Sequence, residues 1–491
     1  MSLVTLSVLF TVSLIAEMLL LLTIKRSTLF QHYISAGVVA LLGFMFSVVL
    51  FSAINLWSIV FLSLVFFRVL NVMRVAVARM NAKELYSRYR KSLLYFGAIS
   101  IIVLIFISSE QLALDLTVAL WGSVVLSCVL LVNLIINLLR FRGKPALKNN
   151  LEKLPTVSIC IPARNETQDL PECIESLLAS SYPKLEILVL DDCSHDKTPA
   201  VIKEYAHKGV RFLSGQEPSS DWLAKNKAMN KLFDESTGEI VIFAGVDVRF
   251  SPETVLRIVE QLSNGHDMIS VLPKRSNMHE SSLFIQPIRY WWELAVPRSL
   301  GGRPPVLSTC WAIHRKKLHQ LGEFDSYKKS VQPEAHFAHR LKDTYAFIIS
   351  GNRFGLTSIK KPKEQLDTAI RTRYPQTRHR PEVVFALLCV EFLVFSVPII
   401  GLIVGLNQST PGLLYPSIVG IFLLGITSAL VARLVVSKTW PIGFVSWPFL
   451  YVLETYVLLR SFTAYEYGSV IWKERNICLP MLTVEKKLPK I

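Results

Sequence analysis

The stretch LEILVLDDCSHDKT, residues 185–198, decides the fold. Four apolar residues, Ile187 to Leu190, run straight into two acids, Asp191 and Asp192, and small polar residues follow. The chain is 51% hydrophobic, so two carboxylates on the end of a buried-looking strand need an explanation. The neighbouring sequence supplies it. Upstream, residues 157–161 (VSICI) form a second β-rich apolar run, followed by Leu170, Ile174, Leu177 and Leu178 at helical spacing. Downstream, 198–206 reads as a helix, 210–214 as a third strand, 224–235 as a helix and 239–248 as a fourth strand. Strands alternating with helices at this spacing predict βαβ units and a parallel sheet. Such sheets bind ligands in the crevice beyond the carboxyl ends of their strands. Asp191, Asp192 and Asp247 all fall at strand carboxyl ends and are expected to point into that crevice.

This soluble composition is confined to 141–382, a length that can bury a proper core. Apolar runs lie on both sides of it, at 3–24, 33–54, 55–72, 93–108 and 116–138, and again at 383–406, 413–433 and 442–464. About 20 apolar residues cross a bilayer core, so residues 1–140 are read as a membrane block of about five helices. Residues 383–491 are read as a second block of two to three helices with a basic tail. The first run lacks a cleavage-like small-residue site and is not read as a signal peptide. Segment 74–91 carries Arg74, Arg79, Lys83, Arg88, Arg90 and Lys91, whereas 109–115 carries only Glu110 and Asp115 among its charges. Lys and Arg favour the cytoplasmic side, which places the central domain inside an integral multi-pass membrane protein, in the cell or inner membrane if bacterial.

The net charge is +16, and the basic residues flank membrane runs. That points to contact with the lipid bilayer and not to nucleic acid. The seven cysteines form no C-x-x-C pair, which excludes a disulfide or zinc framework. Three full crossings after an internal domain would carry the tail at 472–475 to the far side. One segment, best 442–464 with Pro448, Glu454 and Arg460, is therefore expected not to cross fully.

VSICIPARNE (157–166) and YPKLEILVLDDCSHDKT (182–198) closely resemble the nucleotide-binding half of glycosyltransferase family 2, the inverting enzymes of GT-A fold. The likeness continues through DWLAKNKAMN (221–230) and STGEIVIFAGVDVRFSPETV (236–255), and GSVIWKERN (468–476) resembles the tail of membrane-bound members. The resemblance implies an α/β GT-A (nucleotide-diphospho-sugar transferase, Rossmann-like) domain between two blocks of transmembrane helices. Base and ribose are donors that suit carboxylates, and a diphosphate meets a carboxylate only through a divalent cation. By resemblance, Asp191 and Asp192 hold the nucleoside, and Pro162, Ala163, Arg164, Asn165 and Glu166 form the adjoining loop. Lys225 lies near the nucleotide-sugar, with Ala224 in place of the usual Gly. The second acidic motif reads Gly245-Val246-Asp247, so its first acid is missing, and Asp247 is left as the expected ligand of Mg²⁺ or Mn²⁺.

The third motif lies in SVQPEAHFAHRL (330–341). One register sets Glu334 on the family's Glu and leaves Ala335 where the base belongs. The other sets Pro333-Glu334 on Glu-Asp and makes Glu334 the catalytic base; the following Phe337-Ala338 and Arg340-Leu341 favour it. The fourth motif survives only as Arg373 and Tyr374, read as an exposed cation and aromatic on the acceptor or diphosphate side. Trp291 and Trp292 suit the bilayer surface on the acceptor side, with a buried aromatic pair as the alternative. The expected function is metal-dependent transfer of a sugar from a nucleotide-sugar, a UDP-sugar above all, to a lipid-like hydroxyl or a polyprenyl phosphate, with inversion. Two alternatives stand beside it: a processive polysaccharide synthase, disfavoured by the eroded fourth motif, and a catalytically inactive glycosyltransferase-like membrane subunit.

Overall fold

The computed structural model describes residues 116–141, 154–275, 290–296, 304–435, 440–466 and 470–478, apart from residues 220, 292, 352, 353, 378 and 380. The helices expected at 3–24, 33–54, 55–72 and 93–108, the segments 74–91 and 109–115, and Trp292 lie outside these residues.

Helix α1 (Leu116–Arg140) opens the described chain. The α/β domain then begins with β1 (Val157–Ala163), α2 (Leu170–Leu178), β2 (Leu185–Asp191), α3 (Thr198–Glu204), β3 (Val210–Ser214), α4 (Ala224–Glu235) and β4 (Ile240–Ala244). Next come β5 (Val248–Phe250), α5 (Thr254–Ser263), β6 (Met268–Leu272), β7 (Lys274–Arg275), β8 (Cys310–His314), α6 (Pro333–Arg340), β9 (Tyr345–Ile349) and β10 (Leu356–Ser358). Seven strands form the main sheet in the order β3-β2-β1-β4-β8-β6-β9. Only β8 runs against its neighbours, pairing antiparallel with both β4 and β6.

The apolar runs read as buried strands because both faces of this sheet are covered. On one face Ile159, Ile161 and Val189 pack with Leu170, Cys173, Ile174 and Leu177 of α2, spaced to form one helical stripe. On the other, Cys160, Leu188 and Leu190 pack with Met229, Leu232 and Phe233 of α4. The register runs from Val157 opposite Leu185 to Ala163 opposite Asp191. β1 and β2 therefore end level, and the loop after Ala163 stands beside the Asp191–Asp192 pair. A smaller sheet, β5-β10-β7, lies close by; its β10 carries Ser358 to Asp247.

Beyond the domain run α7 (Pro362–Gln376), α8 (Pro381–Glu391), a π-helical turn at Phe392–Ser396, α9 (Val397–Gln408), α10 (Pro411–Val435) and α11 (Gly443–Glu466). Pro398 cannot donate to the carbonyl of Val394, one helical turn earlier. Ser123 Oγ of α1 donates to that carbonyl at 3.2 Å, the kind of side-chain rescue that apolar surroundings require. Among the described residues four segments are long and apolar enough to cross a membrane: Leu116–Arg140, Ala386–Gln408, Pro411–Leu434 and Trp440–Tyr465. They coincide within a few residues with four of the expected runs. Among the described residues nothing covers Val118, Trp121, Val125, Val129 and Val132 of α1.

Both ends of α11 meet the domain side. Gly443 abuts Ala429 and Ala432 near the end of α10, where Val431 packs with Leu272, Tyr290 and Phe347 of the domain. At the other end Tyr465 Oη donates to the carbonyl of Arg371, and the tail reaches Asp192. If α11 does not cross fully, as its internal charges suggest, its two flanks lie on one face of the membrane. Lys438→Cys and Ser469→Cys, in a chain whose native cysteines are replaced, are expected to react with an impermeant thiol reagent from the same face of sealed vesicles. Reaction from opposite faces would make α11 a full span.

Candidate active site

The loop after β1 is held by its neighbours' main chain. Arg164 is only 5% exposed. Its Nη1 donates to the carbonyls of Asp192 and Cys193, both at 2.7 Å. This guanidinium shapes the crevice wall. Asn165 adopts φ 51°, a conformation Asn tolerates because its short side chain bonds locally. Its Oδ1 accepts from the amide of His195 at 3.0 Å. The amide of Ser194 points back at the Asp191 carboxylate at 3.3 Å, closing the turn that follows β2. Asp192 is 4% exposed and binds Arg475 Nη1 at 2.7 Å. Burial pushes its carboxyl above the usual range, and Arg475 pulls the other way. Glu166 follows the same pattern: burial raises it, while Lys473 at 2.9 Å opposes the shift.

Lys225 stands half-buried at the start of α4, beside Asn226. The Nδ2 of Asn226 donates to the carbonyls of Tyr327, Lys328 and Ser330 at 3.1, 3.0 and 2.8 Å. This ties the lysine's helix to the segment that leads into Glu334.

The expected fourth strand splits at Gly245. The turn Gly245–Val248 is closed by the Val248 amide on the Gly245 carbonyl at 3.2 Å, and β5 starts afresh. Ser358 Oγ donates to Asp247 Oδ2 at 3.2 Å, and Lys360 Nζ lies 3.9 Å from the same oxygen. A Cβ on residue 245 would sit 2.5 Å from Asp247 Oδ1. An acid at 245 would thus force the Asp247 carboxylate to turn away. Among the described residues no three His, Cys, Asp or Glu side chains converge as a metal site. Asp247, 22% exposed at its side chain, supplies one carboxylate. That donor set fits Mg²⁺, which keeps its waters and takes one or two carboxylates together with substrate phosphates.

Glu334 occupies the first turn of α6, after Pro333, and is wholly buried. Ser308 Oγ donates to its Oε1 at 2.6 Å, while Oε2 has no partner among the described residues. An unsatisfied buried carboxylate oxygen costs free energy, and a hydroxyl that enters beside it would satisfy it. The next residue, Thr309, accepts from the Gly245 amide at 3.0 Å. Two consecutive residues thus join the turn of Asp247 to Glu334. Ser270 holds them in place, donating to and accepting from Leu307.

Arg373 and Tyr374 depart from expectation. Arg373 is 3% exposed, not an open cation at the domain edge. Its Nε and Nη2 grip Glu454 of α11 at 2.6 and 2.7 Å, and its Nη1 donates to Gln376. Tyr374 is buried among Phe462, Tyr465 and Val384. Together they fasten α7 to α11. Breaking such a buried pair costs about 3–5 kcal/mol, because the surviving charge loses its partner. Arg373→Met and Glu454→Gln are each expected to lower the thermal stability of the detergent-solubilised chain strongly, and the double variant little more than either single one. Stable single variants that lose only donor affinity would restore a diphosphate role.

A narrow cleft with room for about one water molecule lies between α7 and the approach to Glu334, lined by Glu293, Leu307, Gln332, Thr372, Arg373 and Gln376. Trp291 is half-buried, 5.9 Å from Phe395 of the membrane helices. Its short helical segment is seated by Asn133 and Asn137 of α1, which donate to the carbonyls of Ala295 and Leu294. The sequence reading missed Ser308, Asn226 and Lys360. Their neighbours in the chain carry no signal of these contacts, which are made across the fold.

A parallel sheet with one reversed strand, and acids at the ends of β2 and beyond β4, defines a nucleotide-diphospho-sugar transferase domain of GT-A type. Residues 158–322 match the family model Glycosyl transferase family 2. The chain is 26% identical over 200 residues to a probable glycosyltransferase of Bacillus subtilis, YdaM, covering 38% of this chain and 46% of that one. It is 27% identical over 154 residues to the undecaprenyl-phosphate 4-deoxy-4-formamido-L-arabinose transferase of Pectobacterium atrosepticum, covering 31% and 46%. The matches thus span about half the length of these relatives. A solved mannosyltransferase of Pyrobaculum calidifontis, in complex with GDP-mannose and Mn²⁺, aligns over 70% of this chain and 99% of its own at 17% identity, with a TM-score of 0.44.

Proposed function

We propose that the protein is a membrane-embedded inverting glycosyltransferase. It moves one sugar from a nucleotide-sugar, a UDP-sugar first, to the hydroxyl or phosphate of a lipid-like acceptor. The observation that carries the reading is Glu334: a buried carboxylate with one oxygen tied to Ser308 and the other without a partner among the described residues, two residues of backbone away from the Asp247 turn. In transfer to a hydroxyl, Glu334 Oε2 accepts the acceptor's proton as the hydroxyl oxygen attacks the anomeric carbon. The bond from that carbon to the diphosphate breaks on the opposite face, and the nucleoside diphosphate leaves. Asp191 and Asp192 receive the nucleoside, and Asp247 is the residue that would hold a divalent ion. When bound, that ion offsets the negative charge gathering on the leaving group.

The lipid-like acceptor rests on the placement of the cleft. It opens between α7, which is bolted to an apolar helix, and the segment of Trp291, which packs on α1 and the π-helical turn. The relative named for undecaprenyl phosphate supports the same class. The bases of segment 74–91 against the acids of 109–115 support a cytoplasmic domain. The test is nucleoside diphosphate release by the purified full chain from a panel of UDP- and GDP-sugars, with and without membrane lipid extract. Release that depends on the extract supports transfer to a lipid. No release from any donor would leave the inactive-subunit reading.

A further inference from the structure

The small sheet lines up Arg275, Ser358 and the turn of Asp247. Its middle strand, β10, pairs antiparallel with β5, which sets Ser358 opposite Val248, and parallel with β7, which sets Ser358 opposite Arg275. Asp247 stands one residue before Val248, and its carbonyl accepts from the Ile359 amide at 3.0 Å. Opposed residues share a face of a sheet, and the hydrogen bonds follow the row. Arg275 Nη1 donates to Ser358 Oγ at 2.8 Å, and Ser358 Oγ donates in turn to Asp247 Oδ2 at 3.2 Å. The other arm of the guanidinium, Nη2, donates to Tyr290 Oη at 2.7 Å. All three side chains are closed off: Arg275 is 3% exposed, Ser358 1% and Tyr290 not at all.

Among the described residues the hydrogen-bond partners of Arg275 are thus two neutral hydroxyls, and its Nε has none. A buried charge is costly unless it is paired. Methionine would fill the same space without that cost. What a guanidinium does, and methionine could not, is connect: its planar fork reaches two partners in a fixed geometry. One partner, Ser358, orients the carboxylate that would hold a divalent ion. Lys360 Nζ lies 3.9 Å from the same oxygen, so Asp247 Oδ2 is held from two sides. Carboxylates that ligate metals are commonly fixed by such outer hydrogen bonds. The other partner, Tyr290, adjoins Trp291 on the acceptor side. Tyr290 packs with Leu272, Leu307 and Phe347 of the domain, Leu134 of α1 and Val431 of α10. Leu307 directly precedes Ser308, the partner of Glu334. The donor carboxylate and the acceptor wall therefore meet at one buried side chain.

We propose that Arg275 is a positioning residue that fixes the Asp247 carboxylate through Ser358 and the acceptor segment through Tyr290, and so holds donor and acceptor at a set separation. It acts through these two hydroxyls. The proposal rests on reading Asp247 as the carboxylate for the ion and the Trp291 segment as the acceptor side.

The test cuts the two arms separately, in the full chain in lipid nanodiscs. Two quantities are read: affinity for UDP and GDP with and without Mn²⁺, and diphosphate release from the panel of UDP- and GDP-sugars at saturating donor with membrane lipid extract. Ser358→Ala is expected to weaken Mn²⁺-dependent diphosphate binding ~10-fold, the loss of one hydrogen bond to a charged group, with metal-free binding within about two-fold. Tyr290→Phe is expected to leave Mn²⁺-dependent binding within about two-fold and to slow release at least ~10-fold, because a misplaced reaction partner lowers turnover. Arg275→Met should show both losses. Arg275→Lys keeps the charge without the fork and should restore neither quantity in full; complete recovery overturns the proposal, since charge alone would then suffice. Thermal unfolding identifies a variant that fails to fold, and if Arg275→Met does so, Ser358→Ala and Tyr290→Phe carry the test. Variants that lose stability with both quantities unchanged overturn the proposal, as a bolt in the core would do the same. So does a Tyr290→Phe chain that loses Mn²⁺-dependent binding, because the arms would not be separate. In either case a parent that binds the diphosphate and releases it keeps the transferase reading. A parent whose affinity ignores Mn²⁺ removes this proposal, and release of the diphosphate then still supports transfer. A parent that binds and releases neither diphosphate removes both.

Discussion

Glu334→Gln is expected to keep donor binding and the fold while slowing sugar transfer by at least ~10²-fold, the scale of a positioned general base. The substitution keeps the shape of the side chain. Its remaining oxygen still accepts from Ser308, which now donates to Glu334 Oε1 at 2.6 Å. What changes is the second atom, an oxygen without a partner among the described residues, which becomes an amide nitrogen unable to take a proton. A buried donor without an acceptor costs about 1–3 kcal/mol, so a modest drop in melting temperature is expected as well. The competing role is structural. Glu334 lies in the first turn of α6 after Pro333, where a negative charge is worth about 0.3–1 kcal/mol to a helix. A purely structural role predicts the drop in stability with turnover largely kept. Single-turnover transfer and thermal unfolding on the same preparation separate the two. Transfer near the parent rate would remove Glu334 as the base, together with the register that sets Pro333-Glu334 on the family's third motif.

Asp247→Asn is expected to abolish the dependence of donor binding and turnover on Mg²⁺ or Mn²⁺. The amide oxygen can still accept from Ser358, so the turn is kept. The charge is lost, and no second acid stands at residue 245 to replace it. Offsetting the charge that develops on a diphosphate leaving group is worth several kcal/mol, which corresponds to a fall in turnover of ~10²-fold or more. Titration of UDP-sugar binding against metal, in parent and variant, checks it. A variant with normal turnover and unchanged metal response would show that Asp247 does not carry the ion.

Local pattern was enough for the centre of the sheet. Residues 157–161, 186–190 and 210–214 read as strands and are β1, β2 and β3 within two residues; 224–235 reads as a helix and is α4. Each is an apolar run or stripe whose burial follows from its own composition. The expected strand 239–248 broke because Gly245 opens a turn inside it, and the hydrophobic run on either side hid the break. β8 enters the sheet reversed, after a connection of several dozen residues, and nothing near Cys310–His314 encodes its neighbours.

The site divides in the same way. Acids at strand ends were visible, since a strand's last residues must face the crevice. Their partners were not. Arg475 meets Asp192 across 283 residues of sequence, and Arg373 meets Glu454 across 81. Arg373 was read as exposed because it follows the soluble domain. A signal was nonetheless present: Glu454 is an acid inside an apolar run, and such residues are paired or functional. The same acid marked 442–464 as the segment least suited to cross.

The most direct test of the central claim is the product itself. Full-length protein in vesicles of host lipid is supplied with a UDP-sugar labelled in the sugar, and the label is followed into the organic phase and sized by mass spectrometry. The account predicts label in a lipid carrying one added sugar, of inverted anomeric configuration, lost in Glu334→Gln. Label that remains in water as free sugar, or that grows into a polymer, would contradict it.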